Sequence, residues 1–382
     1  MGYSVLLVTP TYPPVLGGSE VEAQRVCDAL RRRGHHFEVA CQGGAPMPVV
    51  SRWTDPHGTP VRIFGHGVPA HRRALALATG SALMLATGRY DIAYFLMGGL
   101  HLAAALPVAR ARGIPILMKF SGSNTIRPLV ASRLGRWELV MLKRWAGRIL
   151  VLNPAMESEA VEAGLPAERL GWMPNPVDIE AFRPLDVRAK TELRRRMNIP
   201  AGERIVLFVG RMAPEKRLHS LLDAFAITGA ADPMARLVLV GDGPLRGELE
   251  ARVRAGNSRS QITFTGALSG DAVCQWMQAA DLFALVSEFE GLPCSLIEAM
   301  SAGLTAVVSD IAANKQLIPD ASRGRSAPVG DVAAIAARMT EALADPAWRL
   351  EAGALCRDDV AERFSMDAVA GRYEALFAEL AG

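Results

Sequence analysis

The sequence is short of the features that mark several protein classes. Its five cysteines, Cys27, Cys41, Cys274, Cys294 and Cys356, are odd in number and far apart. No Cys-x-x-Cys pair occurs, which argues against a disulfide framework or a zinc knuckle and favours a reducing compartment. Aromatic residues make up 6% of the chain, too few for a large base-stacking platform. The net charge of +3 argues against a general nucleic-acid binder, which usually needs a pI above about 9 with a clustered basic face. Long apolar runs are missing as well. Two longer uncharged stretches, residues 74–88 and 94–109, contain Gly or Pro and fall short of the roughly 18–20 apolar residues a membrane span needs. The opening MGYSVLLVTP has no basic start and reads as a strand, not a signal peptide. These absences leave a soluble, cytoplasmic chain, with peripheral contact at the inner membrane face left open.

What is present is alternation. With 382 residues the chain is long enough for two domains. Short apolar strands are expected at 5–8, 37–41, 61–64, 92–96, 114–118 and 149–152, with helical stretches between most of them. The pattern restarts after the Pro-rich stretch 174–184. Strands at 205–209, 236–240, 262–265, 282–286 and 306–309 alternate there with helices at 218–227, 245–255, 271–279 and 295–302. Strands alternating with helices of this length build parallel sheets from βαβ units. Charge divides unevenly, +7 over residues 1–185 and −4 over 186–382. The basic half suits an anionic partner, though ordinary surface charge explains it equally. Residues 127–148 mix Arg, Trp and Leu at helical spacing, which reads as a core-packed helix with solvated arginines or as an interfacial membrane helix.

Four segments carry candidate chemistry. PTYPPVLGG at 10–18 links the first strand to the first helix, where Gly17 and Gly18 permit close backbone approach and the helix start offers N–H groups to an anion. It matches neither a dinucleotide fingerprint nor a P-loop, and a plain turn explains the loop on its own. GRMAPEK at 210–216 puts Arg211 and Lys216 at the end of a strand and before a helix, an arrangement suited to a diphosphate. Glu215 offers the alternative of a surface ion pair. VGDGPL and FTGAL end strands with Gly241 and Gly266, either to admit a flat ring or to make a turn. EFEGLPCSLIE at 288–298 places Glu290 in a turn and Glu298 in the first turns of a helix, where carboxylates can bind sugar hydroxyls.

Together, GRMAPEK, VGDGPL, FTGAL and SEFEGLPCSLIEAMSAGLTAVVSD resemble family 4 of the retaining glycosyltransferases, which have the GT-B fold. The likeness covers the second half, and the Gly-Gly loop matches in the first. It implies an α/β fold of two doubly wound Rossmann-like domains facing a cleft. Residues 1–182 would form the acceptor side and 183–364 the nucleotide-sugar side, and a helix within 365–382 would cross back to the first domain. Arg211 and Lys216 would clamp the donor's diphosphate, Glu290 the transferred sugar and Glu298 the ribose. Gly266 to Leu268 would carry the base. Gly17, Gly18, Gly210, Gly241, Gly291 and Leu292 complete the implied donor site. No metal and no cofactor beyond the donor itself is implied. Many relatives carry a His beside the sugar, whereas this chain reads MKFSGSN at 118–124, which makes Lys119, Ser121, Ser123 and Asn124 the candidate sugar or acceptor contacts. Asn175-Pro-Val-Asp178 resembles the family's interdomain segment and reads as a structural hinge.

The expected reaction is transfer of a sugar, with retention, from a nucleotide diphosphate sugar to a saccharide, metabolite or lipid-linked acceptor. UDP is favoured by family prevalence, with GDP and ADP as alternatives. A nucleotide-sugar 2-epimerase and a non-catalytic nucleotide-binding homologue are the rival readings. The sequence does not decide the oligomeric state.

Overall fold

The computed structural model describes residues 2–15, 17–44, 51–122, 125–256, 261–268 and 270–382. The chain forms two compact units: Met1–Pro176 with Met366–Gly382, and Val177–Ser365.

In unit 1 the strands are β1 (Ser4–Val8), β2 (His36–Gln42), β3 (Arg52–Thr54), β4 (Pro60–Phe64), β5 (Ile92–Leu96), β6 (Ile116–Lys119), β7 (Ala146–Val151) and β8 (Leu170–Trp172). Its helices are α1 (Gly18–Arg32), α2 (Ala70–Thr87), α3 (His101–Ala111), α4 (Arg127–Ala131), α5 (Arg133–Trp145) and α6 (Pro154–Glu162). The sheet order is β3-β4-β2-β1-β5-β6-β7-β8, parallel except for the short β3–β4 pair. Val5 through Val8 and the whole of β5 are buried, because helices cover a parallel sheet on both faces and its strands read as continuous apolar runs.

Unit 2 holds α7 (Val187–Arg196), β9 (Arg204–Val209), α8 (Leu218–Ala231), β10 (Ala235–Val240), α9 (Arg246–Ala255), β11 (Ile262–Gly266), α10 (Gly270–Ala279) and β12 (Leu282–Leu285). It continues through α11 (Cys294–Ser301), β13 (Ala306–Ser309), α12 (Ala312–Lys315), β14 (Gly324–Ala327), α13 (Val332–Ala344) and α14 (Pro346–Phe364). The order β11-β10-β9-β12-β13-β14 is parallel throughout. Both sheets therefore reverse direction beside their first strand, unit 1 between β1 and β5, unit 2 between β9 and β12. Ligands of open α/β sheets bind beyond the carboxyl ends of the strands at such points.

The last helix, α15 (Met366–Ala381), belongs to unit 1. It buries Val369, Ala370, Tyr373 and Phe377. The Tyr373 hydroxyl lies 2.8 Å from that of Tyr94, and the Phe377 ring packs edge-on against Tyr3 and His35. The division between the units falls at 176/177 and again at 365/366. Residues 177–182 fold with unit 2. Val177 N–H donates to the Phe364 carbonyl at 2.8 Å, and Ser301 Oγ and Arg357 Nη1 donate to the Phe182 carbonyl.

Residues 127–148 do not form one helix. Ser132 is extended between α4 and α5, where its hydroxyl caps the Gly135 N–H at 2.8 Å, and residues 146–148 already belong to β7. Strands β3, β8 and β14 span three or four residues each, too short to show a period in sequence. Among the described residues no helix is long and apolar enough to cross a membrane.

Candidate active site

In unit 2 the two richest sequence segments meet at the reversal of the sheet. The loop after β9 and the loop after β12 are tied by Glu288 N–H donating to the Glu215 carbonyl at 2.8 Å. Across this junction Lys216 Nζ donates to Glu290 Oε1 at 2.6 Å, with side-chain exposures of 18% and 10%. Ser287 Oγ donates to the same carboxylate oxygen at 2.7 Å. Arg217, with a left-handed φ of 51°, starts α8 and reaches Glu288 at 2.9 Å. Arg211 stands apart from this cluster. It is 69% exposed and bonds Glu215 at 2.7 Å.

Glu298 is buried in α11, while Gly291 and Leu292 lie buried in the turn before it. In α10, burial, with the charges of Asp271, Glu298 and Asp178 adding to it, pushes the Cys274 thiol up to about 11. The glycines that end β9, β10 and β11 form a row. Gly210 N–H donates to the Val240 carbonyl at 3.0 Å and Gly241 N–H to the Gly266 carbonyl at 2.9 Å. A Cβ on Gly241, whose φ is +137°, would collide with the Gly210 carbonyl. Gly241 is thus required by backbone approach within the sheet edge itself. Leu268 follows Gly266 and is half-buried.

In unit 1 the loops after β1, β5 and β6 share one edge. Gly17 and Gly18 are exposed, but a Cβ on Gly17 would meet the Glu20 carboxylate, which the Thr11 and Ser19 hydroxyls hold. Lys119 does not reach the surface. Its ammonium is fully buried against Glu22, Asn175 Oδ1 and the Pro174 carbonyl, so the expected sugar or acceptor contact does not fit the position this side chain takes. Burial pushes Glu22 up. Ser121 Oγ is buried with no hydrogen-bond partner among the described residues. Ser123 and Asn124 lie outside the described residues.

Sequence reasoning passed over His101. It opens α3 just after Met97, which has a left-handed φ of 64°, and Gly99. Burial lowers its pKa to about 4, and its ring bonds the Met97 backbone, while Nε2 is buried with no partner among the described residues. Beside it, buried Glu138 accepts the Gly99 N–H at 3.1 Å. A lone His inside an uncharged run gave no spacing signal that could have found this.

Comparison with known proteins fits these two halves. The profile described as Glycosyltransferase Family 4 matches residues 16–181, and that described as Glycosyl transferases group 1 matches residues 189–355. The chain is 30% identical over 349 residues to a GDP-mannose-dependent alpha-mannosyltransferase of Mycobacterium tuberculosis, covering 86% of this chain and 85% of that protein. It is 27% identical to 2-deoxystreptamine N-acetyl-D-glucosaminyltransferase of Streptomyces fradiae, covering 93% and 89%. In fold it is similar to Anabaena HepE crystallised with UDP and glucose, with a TM-score of 0.83 at 19% identity over 99% of this chain and all of that one. The chain belongs to glycosyltransferase family 4 and has the two-domain GT-B fold.

Proposed function

We propose that this glycosyltransferase moves a hexose from a nucleoside diphosphate donor held by unit 2, with retention at the anomeric carbon. The observation that carries the reading is the Lys216–Glu290–Ser287 cluster at the reversal of the unit 2 sheet. Lys216 would bind the diphosphate as negative charge grows on its oxygens, and Glu290 both orients that ammonium and offers an acceptor to sugar hydroxyls. Stabilisation that strengthens as the bond breaks lowers the barrier. Arg211 is available for the same task. Its exposed pair with Glu215 is worth roughly 0.3–0.5 kcal/mol, against roughly 1.5–3 kcal/mol for a hydrogen bond to a charged group. A phosphate therefore outcompetes Glu215 for the guanidinium. Glu298 would take the ribose, the row Gly210, Gly241 and Gly266 with Leu268 the nucleoside, and the Gly291–Leu292 turn the sugar side.

In the proposed step an acceptor oxygen bonds the anomeric carbon on the face that the diphosphate leaves. The carbon–oxygen bond to phosphate breaks, and the acceptor's proton passes to a departing phosphate oxygen. The products are the glycoside and a nucleoside diphosphate. No protein carboxylate serves as nucleophile, and no metal is invoked. A uridine donor is the expectation from family prevalence. A guanosine donor is supported by the named specificity of the relative at 30% identity. Assay with UDP-glucose, GDP-mannose and ADP-glucose against saccharide and lipid-linked acceptors should release one nucleoside diphosphate, with or without EDTA. The product should keep the donor's anomeric configuration by NMR. Release of an epimerised free sugar, or inversion in the product, would overturn the reading.

A further inference from the structure

One face of α5 carries a pattern that its packing does not use. The helix buries Gly135, Glu138, Leu139, Met141 and Leu142. The opposite face presents Arg133, Arg136, Trp137, Val140, Lys143 and Arg144, at spacings of three, four, seven, ten and eleven residues, so they share one stripe. Trp137 is 48% exposed and Val140 62%. Val130 of α4 and Leu134 are exposed at the margin of this stripe. An aromatic ring and a branched aliphatic chain thus stand in water, ringed by four cations.

No carboxylate balances them. Glu138 is the sole acidic residue from 127 to 148, and it is buried. Among the described residues none of the four cations forms an ion pair. Solvated helices of unit 2 behave differently and pair their arginines one turn away, as in Arg195–Glu192, Arg246–Glu250 and Arg338–Glu341. A second copy of the chain would set cation against cation. Charge alone would attract an acidic protein but would give Trp137 and Val140 nothing to enter. An anionic lipid surface satisfies both: the indole and valine enter the headgroup layer while the arginines and lysine reach the phosphates.

The location gives the contact a use. Helix α4 is the next element after β6, and a Cβ on Gly98, in the turn after β5, would lie 3.1 Å from Leu129 of α4. The stripe therefore borders the edge that holds His101 and Ser121. We propose that α4–α5 docks unit 1 on an anionic membrane surface and brings this edge to acceptors carried in that membrane. The inference extends the acceptor side of the proposed reaction, but it is read without donor, so the two can fail separately.

The test is sedimentation of the full chain with vesicles of equimolar phosphatidylglycerol and phosphatidylcholine, and with phosphatidylcholine alone. The wild type should bind the anionic vesicles, not the neutral ones, and should release at high salt. Arg133→Gln with Arg136→Gln should weaken binding about fivefold for each charge removed, since each basic residue near such a surface contributes about 1 kcal/mol. Trp137→Ser with Val140→Ser should weaken binding with net charge unchanged. These side chains are exposed, so unfolding midpoints should stay put and loss of fold is excluded directly. The control Arg89→Gln with Arg110→Gln removes two exposed charges at the opposite, amino edge of the sheet and should bind as the wild type does. Failure of the wild type to bind, equal loss in the control, or no effect of the Trp137 and Val140 changes would overturn the proposal. So would a self-association abolished by the Trp137 change in place of vesicle binding, which would give the face to a second copy.

Discussion

A neutral imidazole buried at the start of α3 ties this protein's stability to pH. His101 is fully buried and its pKa falls from the ordinary 6.5 to about 4. Between those values the unfolded chain takes up a proton that the native state refuses. Stability therefore rises with pH through the window and is lost as pH falls from 6.5 to about 4. A difference of that size is worth about 3 kcal/mol. Urea denaturation at pH 7 and at pH 4.5 should show a smaller acid loss in His101→Asn than in the wild type. Identical acid losses would mean the imidazole is not held neutral. Single residues were also where the sequence read least reliably. That Lys216 and Glu290 serve one site was within reach, because GRMAPEK and EFEGLP each follow a strand; their direct ion pair was not, since the sequence pointed to Glu215 as the carboxylate partner. The burial of Lys119 was not, because its partner Glu22 sits on another element and its other contacts come from Pro174 and Asn175.

At the scale of elements, the long apolar strands and their crossover helices were legible because burial on both faces writes a continuous apolar run. The short edge strands β3, β8 and β14 were not, since three or four residues carry no period. The stretch 127–148 misled for another reason: its helical spacing continues across Ser132, whose extended backbone and capping hydroxyl break it locally. The glycines were ambiguous until neighbours were known. Gly241 has a φ of +137° and no room for a side chain beside the Gly210 carbonyl. Gly241→Ala should therefore destabilise unit 2 by more than about 2 kcal/mol, adding backbone strain to a steric clash. Denaturant unfolding followed by far-ultraviolet circular dichroism checks this; a change below about 0.5 kcal/mol, as at an ordinary surface site, would show that the strand edge tolerates a side chain.

Over the whole molecule, each unit reverses its sheet beside its first strand, and each reversal collects polar groups of different character. In unit 2 they are cations and carboxylates in direct contact, Lys216 with Glu290 and Arg217 with Glu288. In unit 1 they are uncharged or internally balanced: the His101 imidazole, the Ser121 hydroxyl, and Glu20 held by hydroxyls. That contrast supports assigning the diphosphate to unit 2, and it rests on Lys216 more than on any other side chain. The most direct test is titration calorimetry of UDP, GDP and ADP with the wild type and with Lys216→Ala. One nucleotide should bind the wild type, and the variant should bind it weaker by roughly 1.5–3 kcal/mol, a loss of about tenfold or more. Equal affinity in the two proteins would contradict the placement of the diphosphate at the β9–β12 reversal.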